Sequence, residues 1–94
     1  MAFARGVSFE GVDSDSFARV KSQIENDPRP EDIPATEILM LHDADAERSL
    51  VILFFENEED YRRGDEALNA MAPGDTPGRR ASVDRYEVAL RRTA

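Results

Sequence analysis

The run Leu50-Val51-Ile52-Leu53-Phe54-Phe55 places the tightest limit on what this chain can fold into. Six consecutive large apolar residues have strand length and fall far short of the roughly 18–20 needed to span a bilayer. In a strand, Leu50, Ile52 and Phe54 would face one way and Val51, Leu53 and Phe55 the other, so both faces ask for cover. Thr36 to His42 repeats the theme with Ile38, Leu39, Met40 and Leu41, and it too reads as a strand buried on both faces. The short polar stretch Asp43-Ala44-Asp45-Ala46-Glu47-Arg48 between the runs suits an exposed hairpin tip, which predicts that the two strands pair antiparallel.

The remaining segments alternate in period. From Phe3 to Phe9 the larger side chains recur every second residue, as in a strand, with Arg5 on the face of Phe3 and Val7 and with Ser8 on the other. Asp13, Ser14 and Asp15 offer caps for a first helix over 14–26, with Phe17, Val20 and Ile24 on one stripe. Three prolines within 26–34 make a connector. Asn57 can cap a second helix, with Asp60 at its third position, acids in its first turn, and Tyr61, Gly64, Leu68 and Met71 on one face. Residues 72–78 read as a loop from their Pro and Gly content, and Ala81 to Leu90 returns to strand alternation. The order β-α-β-β-α-β is the split βαβ pattern, which predicts an α+β, ferredoxin-like domain over 1–94 with a four-stranded antiparallel sheet and two helices on one face.

Length then becomes an argument. A 94-residue chain buries only about 60–65% of the surface its unfolded form exposes, so apolar area left open by the fold calls for a partner. Two helical stripes cover one sheet face, and a second copy packed sheet to sheet is the simplest cover for the other. At 40% apolar and 34% charged the chain should fold, and its formal charge of −8 argues against nucleic-acid and anionic-membrane partners. Residues 1–47 carry eleven acids and four bases, a net −7, so most of the charge sits in the caps, connector and hairpin tip. The absence of cysteine removes disulfides, thiolate nucleophiles and thiolate metal sites. With no apolar span and no signal-peptide pattern at the N-terminus, the expected location is cytoplasmic.

At Leu53-Phe54-Phe55-Glu56-Asn57-Glu58-Glu59, and again at Val83-Asp84-Arg85-Tyr86-Glu87-Val88, the sequence resembles small proteins of the antibiotic-biosynthesis-monooxygenase-like (ABM) group. The resemblance implies a homodimeric α+β barrel. It also implies a cofactor-independent monooxygenase acting on a planar aromatic or apolar molecule; the other reading, of a different class, is a small-molecule-binding or non-catalytic interaction domain whose cavity is filled by its own side chains. In such oxygenases the substrate anion itself reduces dioxygen, so no cofactor is expected. Phe55 stands where the group commonly has Trp. The haem-degrading branch, marked by a first-strand Asn, a Trp and a helical His, is not matched here.

Among individual residues, His42 is the one side chain whose ordinary pKa lies near neutrality, and it is the candidate catalytic base beside Asp43. Phe17, Phe55, Tyr61 and Met71 are the candidate substrate-binding residues, placed around an apolar cavity expected between the sheet and its helices. Asp43-x-Asp45-x-Glu47 imitates the opening of a calcium loop, but Arg48 and Phe54 occupy the positions that need Gly and Glu. Glu58-Glu59-Asp60 is explained by the positive end of the second helix, so no metal site is expected. Arg5 and Arg85, charges on otherwise apolar strands, need carboxylate partners such as Glu37, Asp84 or Glu87, or an anionic ligand.

Overall fold

The apolar run lies inside the sheet. A computed structural model describes residues 2–26, 33–70 and 79–92. Its elements are β1 (Phe3–Glu10), α1 (Ser14–Asn26), β2 (Glu37–Asp43), β3 (Arg48–Phe55), α2 (Glu58–Asn69) and β4 (Arg79–Glu87). They form one four-stranded sheet in the order β2-β3-β1-β4, antiparallel throughout, which is the ferredoxin-like α+β arrangement. Residues 27–32, most of the proline connector, and 71–78, with Met71 and the Pro/Gly loop, lie outside the described residues. No helix among the described residues is long and apolar enough to cross a membrane.

Register separates two unlike sheet faces. On the helix side, Phe3 pairs with Phe55, Arg5 with Leu53 and Val7 with Val51. Phe3, Leu53 and Phe55 are buried with Tyr61 of α2, whereas Val7, Phe9 and Val12 gather Phe17 of α1, and Val51 touches both groups. On the opposite side, Ala4, Gly6 and Ser8 of β1 lie beside Phe54, Ile52 and Leu50 of β3. Leu39 and Leu41 extend that face on β2, as do Asp84 and Tyr86 on β4. No described helix covers it.

Gly64 explains how α2 sits so close to the sheet. A Cβ built at this position would fall 2.6 Å from Cζ of Phe55 and nearer still to its Cε1, and the Phe55 ring is completely buried. Any side chain there would displace either the Phe55 ring or the helix. α2 starts at the Asn57 cap, whose side-chain oxygen accepts from the Asp60 N–H at 2.8 Å.

Asp13 caps α1 by accepting from the Ser16 N–H at 2.7 Å, and its backbone carbonyl receives the Phe17 N–H at 3.0 Å. The Ser16 hydrogen bonds hold the Asp13 carboxyl below its ordinary value of 3.8. A depressed folded-state pKa contributes stability above the unfolded value, and this is lost as pH falls through the folded one. The stability lost on acidification below about pH 3.8 should therefore be smaller in Asp13→Ala than in the parent. Urea unfolding at pH 7 and pH 2.5 measures it; identical pH dependence in the two proteins would contradict the cap.

Two expectations need correcting. β4 spans Arg79–Glu87 rather than 81–90. One further bond, from the Val88 N–H to the Ala2 carbonyl at 2.9 Å, ends its pairing with β1. Arg91 then lies 4.6 Å over the Phe54 ring and pairs with Glu37, so the segment after Val88 lies across one end of the open face. β2, read as buried on both faces, is an edge strand, with Ile38 and Leu39 each 40% exposed and Leu41 50% exposed. Composition cannot distinguish an edge strand with uncovered apolar side chains from a central one.

Candidate functional site

The helix side carries the candidate residues in two separate places. At one end, the His42 ring stacks on Phe17 at 4.4 Å and 14° between planes. Its Nδ1 lies 2.9 Å from Oγ of Ser49, which is buried. Register makes this pair, since His42 of β2 lies opposite Ser49 of β3. The other ring nitrogen, Nε2, is buried and has no hydrogen-bond partner among the described residues. A base must reach a substrate proton. Here one nitrogen is engaged by Ser49 and the other is covered.

At the other end, Phe55 and Tyr61 meet edge to face at 5.5 Å, with Phe3 6.3 Å from Tyr61. The structure thus brings His42 to Phe17 and Phe55 to Tyr61 but puts the two pairs in different clusters; Met71 lies outside the described residues. Burial pushes the Tyr61 hydroxyl above its ordinary value of 10.0, Asp65 adds to this, and Arg5 and Arg85 oppose it.

Between these clusters runs a polar network that the sequence reading did not assemble. Arg5, 2% exposed, donates from Nε to Asp65 at 2.8 Å and from Nη2 to Asn69 at 3.0 Å. Arg80 donates to the same Asn69 oxygen at 2.6 Å. Arg85, which faces Arg5 across the β1/β4 register, lies 4.7 Å over Phe3 and 5.5 Å over Tyr61, with Glu58 at 3.4 Å. The strand carboxylates expected to neutralise the arginines do not. Asp65 and Glu58 of α2 do so instead, and Glu37 serves Arg91. The signal was present in the four-residue spacing of Asp65 and Asn69, which places both on one helix face one step from Gly64.

The described cavity lies on the opposite side of the sheet from all of these residues. A groove of about 560 Å³ runs over Ala4, Gly6 and Ser8, between Ile52 and Phe54 on one flank and Tyr86 on the other. Small residues make its floor: the nearest atoms to a Cβ built at Gly6 are Tyr86 Cε2 at 3.6 Å and Leu50 Cδ1 at 3.9 Å. Its volume falls within the range of small-molecule sites. Among the described residues, no three His, Asp or Glu side chains are grouped to hold a metal ion.

No family model matches this sequence, and no curated protein matches it.

Proposed function

We propose that this chain is a non-catalytic, small-molecule-binding α+β domain that acts as a homodimer, two copies closing their open sheet faces over each other to form a barrel. The observation that carries the reading is the uncovered face itself, where Leu39, Leu41 and Tyr86 are 40%, 50% and 59% exposed around Leu50, Ile52 and Phe54. Four strands at about 4.8 Å spacing and eight residues at about 3.3 Å rise give a footprint of order 500 Å². Once side-chain relief is included, that is enough to approach the roughly 800 Å² per partner of a standard interface. The small-residue floor at Ala4, Gly6 and Ser8 would leave a trough between the sheets, suited to a planar apolar ligand.

The resemblance to the ABM group at Leu53–Glu59 and Val83–Val88 supports the same dimeric barrel. Its monooxygenase alternative needs a base. The engaged and covered nitrogens of His42 favour binding without catalysis. The test joins association to ligand capture. Light scattering should give at least twice the 10.5 kDa chain mass, and Ile52→Glu, which puts a charge in the middle of the face, should at least halve the assembly. Planar probes such as anthrone should bind the parent and not Gly6→Leu, whose side chain fills the trough, and should consume no oxygen. A monomer at micromolar concentration would contradict the dimer. Oxygen uptake abolished by His42→Ala would restore the enzyme.

A further inference from the structure

The two free edges of this sheet are built to opposite specifications. An edge strand presents unpaired backbone donors and acceptors, and proteins that stay apart protect such edges with charge. β4 follows that rule, with Arg79, Arg80, Asp84, Arg85 and Glu87 along its length. β2 does not. Ile38, Leu39, Met40 and Leu41 form its centre with no charge or proline among them, and no described strand pairs with its outer edge. Its apolar side chains are uncovered on both sides: Ile38 at 40% on the helix side, and Leu39 and Leu41 at 40% and 50% on the open side. Packing another sheet against the open face would leave Ile38 exposed. A strand added alongside covers both sides at once.

We propose that the outer edge of β2 is an interface with β2 of a second copy, antiparallel, joining two four-stranded sheets into one of eight strands. Self-pairing narrows the register. A two-fold axis perpendicular to the sheet keeps the helix sides together, so each residue must meet one that points the same way. With Leu39 on the axis, Ile38 lies opposite the partner's Met40 and Glu37 opposite the partner's Leu41. Apolar contacts then form on both sides, and no two acids are opposed. Moving the axis to Met40 would set Glu37 against the partner's Asp43, and cross-strand like charges are destabilising. The contact leaves the open face free, so it stands independently of sheet-to-sheet packing. Where facing sheets leave this edge unpaired and the two-fold axes meet at right angles, the two contacts together give a four-chain assembly.

The lack of cysteine in the chain makes the test clean. Under mild oxidation, Ile38→Cys/Met40→Cys should convert most of the protein to a covalent dimer on a non-reducing gel. Either single variant should crosslink several-fold less. Both positions face the helix side, so contact between open faces cannot bring them together. Ile38→Lys should halve the assembly mass in sedimentation with an unchanged circular dichroism spectrum. If the double-cysteine variant still crosslinks in an Ile52→Glu background, the edge contact stands without the face contact. No crosslinking, with Ile38→Lys at the parent's mass, would overturn the edge while leaving the face contact intact. A monomeric parent, together with no crosslinking of the double-cysteine variant, would overturn both.

Discussion

Replacing Gly64 with alanine is expected to lower the free energy of unfolding by about 3 kcal/mol, the upper end of what overpacking a core costs. Sign as well as size makes this informative, because alanine in a helix interior is ordinarily favoured over glycine by about 1 kcal/mol. The added methyl would stand 2.6 Å from Cζ of Phe55, a ring with no exposed surface that is held edge to face by Tyr61. Ring and helix cannot both stay in place. For a domain of this size the penalty corresponds to a fall in melting temperature on the order of 15 °C. Phe55→Leu removes the clashing ring atoms, so in that background the same substitution should cost about 1 kcal/mol or less. A Gly64→Ala protein as stable as its parent would mean that α2 does not lie on Phe55 as described.

The second large effect is at Asp65. Truncation to alanine would leave the Arg5 guanidinium, whose side chain is 3% exposed, without its anion. Breaking a buried pair from one side costs about 3–5 kcal/mol. Asp65 is itself 33% exposed, and water reaching that side supports the lower figure of about 3 kcal/mol. Asp65→Asn keeps an acceptor and should lose about 1 kcal/mol. Arg5→Met in the Asp65→Ala background should recover most of the loss, since a well-packed apolar pair is often as stable as a buried ion pair. Urea midpoints across this cycle separate a paired buried charge from simple loss of packing. An uncoupled result would show that Arg5 does not depend on Asp65.

What could be read without coordinates follows the range over which each signal acts. Strand and helix identities were legible because period and capping are local: Asn57 caps α2 with Asp60 at its third position, and the six-residue apolar run became β3. Pairings across the fold were not. Arg5 invited a carboxylate from neighbouring strands, but the side of the sheet on which its side chain emerges faces α2, so Asp65 and Asn69 meet it. The end of β4 was misplaced for a similar reason. Alternation continues in the sequence through Leu90, while pairing with β1 ends at Val88. Of the candidate site, the contacts of His42 with Phe17 and of Phe55 with Tyr61 are real, yet an apolar stripe does not reveal whether its residues line a space or fill one.

The central position of β1 also bears on how the chain reaches this state. Phe3 pairs with Phe55 on one side and with Glu87 on the other, so β1 is completed by β4, the described strand farthest from it along the chain. Such non-local closure slows folding relative to helical domains of equal size. During translation β1 and β3 can join while one side of β1 still lacks its strand, and the early intermediate has two open edges of apolar sheet. Intermediates with unpaired strand edges and exposed apolar surface are prone to aggregate, so a central β1 that waits for β4 lengthens the time spent in such a state.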